Sequence, residues 1–206
     1  MGDEMQEVTG HGGRHGSRFS LLRETRAAQI VEFAVALPLL VVLVVGIFDF
    51  ANAFNLKRKL DDAAREAARF ASNQPSNDLS QATPSSIVAV SSLVGGFLLN
   101  SKVDDCGMSN TAGLTITHSS GTLAWTISST NATCPGTMTL TVDRGNTYSV
   151  GPSTLYPSGL TIEDTEITIS YPYKWQFNSV ITLLVPSASY PGTTQLNTTA
   201  VMQNLN

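Results

Sequence analysis

Charge is absent from one long stretch of this sequence. Residues 33–48, FAVALPLLVVLVVGIF, contain no ionisable side chain, and so uniform a run has no polar face, which excludes an ordinary surface helix. Histidine is scarce as well: His11 and His15 precede the run and only His118 follows it. A Ser-His-Asp or Cys-His centre would have to be built on that one residue, whose place in an alternating stretch reads as outward and polar. P-loop, dinucleotide and HExxH patterns are all missing, which leaves an exported enzyme with little but scattered carboxylates behind it. Cys106 and Cys134 are the two cysteines, with no CxxC and no third thiol to make a zinc set. Beyond Pro75 the basic residues are Lys102, Arg144 and Lys174 against seven acids, a balance that argues against a nucleic-acid partner. The acidic pairs Asp104-Asp105 and Glu163-Asp164 with Glu166 lack EF-hand spacing and read as solvated loops. No metal and no cofactor is expected.

What is present is organised around residues 26–70, where the uncharged run passes without a break signal into an amphipathic helix. Sixteen residues span about 24 Å of a hydrocarbon layer about 30 Å thick, so Glu32 or Asp49 must share the span. Asp49, between Phe48 and Phe50, can rest at the interface. Glu32 lies one turn inside the basic end, where a carboxylate costs about 2.5–3.5 kcal/mol on insertion scales. It is either an interfacial carboxylate, protonated or water-bridged to Arg26, or it has a partner. Arg14, Arg18, Arg23 and Arg26 hold the leading end in the cytoplasm by the positive-inside bias, with the rest exported. Residues 1–26 read as disordered.

A basic leader, the small pair Ala27-Ala28, then Glu32-Phe33 and an unbroken apolar run resemble the class III signal cut by prepilin peptidases. More closely, AAQIVEFAVALPLLVVLVVGIFDFANAFNLKRKLDDAAREAARFA is similar to the N-terminal region of TadE-like proteins, the pseudopilins of tight-adherence (Tad) pili, over about 45 of 206 residues. The shared features are VEFA, the ALPLL turn, GIFDF and the AAREAAR tail; the departure is Ala27 where the family usually has Gly. The resemblance implies cleavage after Ala27, a new amino terminus at Ala28, and helix packing with other pilins and pseudopilins at an inner-membrane assembly platform. A cation at Ala28 lies at the depth of a neighbour's Glu32, and pairing them in lipid removes most of the cost of both. Glu32, Pro38, Asp49, Leu56, Leu60, Ala63 and Ala67 are the candidate assembly residues. The alternatives are a secretory signal cut at Ala51-Asn52-Ala53, and a single-span anchored adhesion or ligand-binding domain outside any pilus.

The expected fold class is α+β. A leader (1–27), a transmembrane helix (28–54) and an amphipathic continuation (55–74) precede a mainly antiparallel β-rich exported head (75–206). In the continuation, Leu56, Leu60, Ala63, Ala67 and Phe70 form a narrow seam that receives another helix, lies on the chain's own head, or does both. Residues 72–84 read as a linker. Thr83 offers an N-cap with Pro84 at the first helical position, so 85–99 reads as a helix weakened by Gly95 and Gly96, with strand as the alternative. From Gly113 the period becomes two: Leu114 and Ile116; Leu123, Trp125 and Ile127; Met138, Leu140 and Val142 ending before Asp143-Arg144-Gly145-Asn146; and Ile167 through Tyr171, Tyr173, Trp175 and Phe177, with Pro172 marking an edge or bulge. Residues 180–185 and 195–202 supply two more strands. The aromatic row from Tyr171 to Phe177 reads as core or as a contact surface. In an exported head, Cys106 and Cys134 are expected to pair.

Overall fold

A computed structural model describes residues 18–176 and 192–204, with side chains from residue 28. The first helix, α1 (Arg18–Ser72), runs for 55 residues, and within it the chain divides into two compact units, Met1–Val44 and Val45–Asn206. The leader expected to be disordered is thus helical from Arg18; its earlier part lies outside the described residues. RFSLLRETRAAQ is rich in Leu, Arg, Glu and Ala and has no Gly or Pro, so local propensity carries the helix outward from the apolar run. The helix continues through Pro38. The helix stops at Ser72, two residues short of the expected end, where the Asn73 side-chain Nδ2 donates to the Arg69 carbonyl at 2.7 Å and Pro75 follows.

The second unit is built on the later turns of α1. Leu60, Ala63, Ala64, Ala67, Ala68 and Ala71 are fully buried in one cluster with Ile87, Val90, Val94 and Leu98 of α2 (Ser85–Asn100) and with the sheet residues Trp125, Ile127, Leu140 and Ile169. Alanine allows close approach, and Leu60 adds about 1.5–3 kcal/mol of burial. Residues 85–99 are therefore helix, because Ile87, Val90, Val94 and Leu98 repeat on one face. Its cap differs from expectation: Pro84, extended at φ −63°, ψ 139°, is the capping residue, and Thr83 plays no such part. Asp78 supplies the acceptor from a distance, taking the Ser86 N–H (2.8 Å), the Ser86 hydroxyl (2.9 Å) and the Ser85 hydroxyl (3.1 Å). Burial opposes its ionisation, but these bonds outweigh it and hold the carboxyl below its ordinary value.

Among the described residues five strands follow: β1 (Thr115–His118), β2 (Ala124–Ser129), β3 (Met138–Val150), β4 (Leu160–Lys174) and β5 (Thr193–Gln203). They form an antiparallel meander in chain order. Ile127, Leu140 and Ile169 are aligned across three strands on the core face, as are Trp125, Val142 and Ile167. On the other face Thr117, Thr126, Thr141, Thr168 and Thr199 line up across all five. Gly159 closes the β3–β4 turn at φ +79°, where a Cβ would meet the Val150 carbonyl at 2.9 Å. The strand expected at 180–185, and Phe177, lie outside the described residues.

Two local readings change. β3 does not end before Asp143: pairing jumps from Asp143–Glu166 to Asn146–Asp164, so Arg144 and Gly145 stand opposite Thr165 alone. This is a bulge, and beyond it the hairpin continues as an arm to Val150 and Leu160. β4 is an interior strand, but its pairing with β3 ends at Ser170, so Pro172 is matched only to Gln195 of β5. Gly136 stands beside the Pro172 ring, where a Cβ would be 3.2 Å away.

Candidate functional site: the apolar helix and the collar below the head

In the first unit, α1 presents apolar side chains on every side. Ile30, Val31, Phe33, Val35, Leu39 and Leu43 are all exposed, with Glu32 among them. Glu32 has no hydrogen-bond or ion-pair partner among the described residues. Ala27 and Ala28 fall inside the helix, which places the expected cleavage bond in helical backbone. The segment beginning at Ala28 is the one described helix long and apolar enough to cross a membrane, which fits a single-pass anchor.

Where the uncharged run stops, the head takes hold of the helix. Asp49 is 2 % exposed, and the Tyr173 hydroxyl donates to its Oδ1 at 2.7 Å and lies 3.2 Å from its carbonyl oxygen. Burial, reinforced by the bond to Asp49 and by its charge, pushes the phenol well above its ordinary value, so Tyr173 stays a donor. Trp175 stands edge-on to Phe50 with ring centroids 5.2 Å apart and to Tyr173 at 5.0 Å. Its indole N–H donates to Thr194 Oγ1 at 2.7 Å. About two to three turns further on, Lys57 donates to the Asn197 carbonyl and Thr198 to Asp61, which ties β5 to the same helix.

The seam residues are committed inside the chain. Leu60, Ala63 and Ala67 are 0 % exposed, and Leu56 packs against the same core from a half-buried position. These candidates for subunit assembly are covered by the chain's own α2 and sheet, because the head folds back along the small-residue ridge. Asp49 is likewise spent on Tyr173. Glu32 and Pro38 are the expected assembly residues left on an uncovered surface, Pro38 half-exposed.

Cys106 and Cys134 form a disulfide with Cα atoms 5.4 Å apart. The neighbouring carboxylates serve the same corner. Asp104 accepts from Thr133 Oγ1, Asn131 Nδ2 and the Cys106 N–H, the Thr133 bond doing most to hold its pKa down. Asp105 accepts from the N–H groups of Gly107 and Ser109 and from the Ser109 hydroxyl. His118 is exposed, lies flat on Trp125 at 4.7 Å and bonds the Thr122 carbonyl; neither a nucleophile nor a carboxylate is paired with it. A groove of about 470 Å³ lined by Asp62, Arg65, Glu66, Arg69, Phe97 and Met202 has its charges internally matched, Arg65 to Asp62 and Arg69 to Glu66. Arg144 escaped the sequence reading: it is 4 % exposed and donates from the bulge to the Pro75 and Gln74 carbonyls at 2.9 and 2.8 Å. A lone cation among β-strand residues was the one available sign of it.

Residues 27–69, which take in the apolar segment and most of the stalk formed by the later turns of α1, are similar to the family model described as TadE-like protein. No curated protein and no solved structure matches the chain.

Proposed function

We propose that the chain is a non-catalytic pseudopilin, or minor pilin, acting in assembly, priming or tip function of a Tad-type adhesive pilus. A prepilin peptidase removes residues 1–27, and the mature helix packs with other pilins and pseudopilins at the inner-membrane platform, the head on the outer side. The observation that carries this reading is Glu32: a carboxylate on an all-apolar, uncovered helix surface, where an added cation offsets its cost in lipid. A freed Ala28 amine supplies one, on an adjoining subunit, and the TadE-like match begins at the same place. Since Ala27 and Ala28 lie in helix, cleavage requires local unwinding of that turn.

Co-expression with the peptidase and N-terminal sequencing tests the proposal. A mature chain starting at Ala28 is expected; an intact leader, or a start near Phe54, overturns it. Glu32→Ala is expected to abolish crosslinking to other pilins while the melting of the head stays unchanged.

A second reading, an anchored adhesion domain working alone, draws on the far end of the head. There Tyr148, Leu155 and Tyr156 are exposed on the β3–β4 arm, about 35–50 Å along β4 from Tyr173 and Trp175. On that reading Glu32→Ala leaves localisation and binding untouched.

A further inference from the structure

The aromatic residues at the base of the head have no role in the pilus reading, which neither needs nor explains them. We propose that Tyr173 and Trp175, together with Phe50 and Phe54 of α1, form a collar that seats the head in the headgroup region of the bilayer, a second membrane contact besides the span.

Position sets the partner. The uncharged run ends at Phe48, and Phe50 follows about 3 Å further along the helix axis. The interfacial layer on each side of a bilayer is roughly 5–7 Å deep, so Phe50 falls within it. Trp175 is in ring contact with Phe50 and therefore shares that depth. Phe50 and Phe54 are 59 % and 70 % exposed, and Trp175 is half-exposed beside the exposed Lys174. Trp and Tyr are the side chains that settle at this level, an apolar ring toward the chains and a polar edge toward water. Their polar edges are already directed: the indole N–H to Thr194 and the phenol to Asp49. Asp49, the first charge past the run, thus meets a donor from the head and not lipid. That arrangement requires the base of the sheet to stand directly on the membrane, without a spacer between them.

The inference rests on the span alone and holds whether or not the leader is removed. The two tryptophans make it testable in the full chain, because Trp125 is fully buried in the core and serves as an internal reference. The chain is reconstituted in phosphatidylcholine vesicles in which the lipid is brominated near the top of its acyl chains. Tryptophan emission is compared for wild type, Trp175→Phe and Trp125→Phe. Quenching by brominated lipid is expected to persist in Trp125→Phe and to be lost in Trp175→Phe. Equal quenching in wild type and Trp175→Phe, or ready quenching of Trp175 by aqueous iodide with none by lipid, overturns the collar. If Trp125→Phe fails to fold, the difference between wild type and Trp175→Phe isolates the Trp175 signal.

Discussion

A single methyl added at each of two adjacent glycines of α2 is expected to act with opposite sign. At Gly95 a Cβ would stand 2.6 Å from the Ser109 backbone nitrogen and 2.9 Å from its Cβ. That nitrogen cannot step aside, since its N–H is held by Asp105 at 2.8 Å in the loop anchored by the Cys106 disulfide. At Gly96 nothing lies within 4 Å. Replacing helical Gly by Ala favours the helix by about 0.8–1.0 kcal/mol, which is the whole effect expected for Gly96→Ala. Overpacking costs about 1–3 kcal/mol, and a backbone neighbour puts Gly95→Ala at the upper end, a net loss of about 2 kcal/mol. At about 2–4 °C per kcal/mol for a domain of this size, the two variants should melt roughly 6–12 °C apart, on either side of wild type. Thermal melts of the detergent-solubilised chain, followed by circular dichroism, give the comparison. Equal melting points, or Gly95→Ala above wild type, would refute the close approach of α2 to the 105–110 loop.

Replacing both Cys106 and Cys134 by Ala should cost about 3–4 kcal/mol on the chain-entropy model for a 28-residue separation, read as a lower urea midpoint that reductant no longer shifts. Arg144→Met removes two charge-assisted bonds to the Gln74 and Pro75 carbonyls and should cost about 2–4 kcal/mol, with an unchanged denaturant slope. Tyr171, buried and near Asp104 and Asp105, has its phenol pushed up to about 12. The folded state therefore keeps a proton that the unfolded state releases, and stability falls as pH rises from about 10 towards 12; Tyr171→Phe should remove that step from the ultraviolet titration. Asp104 is shifted the other way, so its contribution is present above about pH 4 and lost as pH falls below it. Asp104→Asn should flatten the acid limb of the stability curve.

The span, the class of the head and the strand cores were legible because each rests on periodicity. An uncharged run, a seam at spacings of four and three, and alternation through Trp125-Ile127 or Ile167-Ile169 are local signals that tertiary structure need only confirm. What stayed hidden depends on distance. Asp78 caps a helix seven residues ahead, Arg144 reaches carbonyls about seventy positions earlier, and Tyr173 meets Asp49 from the other end of the chain. The Arg144-Gly145 bulge looked like a turn because Asp-Arg-Gly-Asn has turn composition, and only the register with β4 shows two residues facing one. The seam was readable as a seam, but its occupant was not: alanines at helical spacing fit a neighbour's helix as well as the chain's own sheet.

That occupant bears on how a subunit of this design can associate. Leu60, Ala63 and Ala67 have no exposed surface left, and offering them to another helix would mean lifting the head off α1, which breaks the Tyr173–Asp49, Lys57–Asn197 and Thr198–Asp61 contacts together with the core. Burial of Leu60 alone is worth about 1.5–3 kcal/mol, and the buried Ala63, Ala64, Ala67, Ala68 and Ala71 move with it. The stalk is therefore the structural spine of the head, and under the proposed pilus role contact between subunits must come from the uncovered turns around Glu32 and Pro38. Pairing there is chemically selective in a way that apolar packing in lipid is not, because Leu and Val gain little by exchanging lipid for each other. A carboxylate and a freed amine at matched depth gain a great deal.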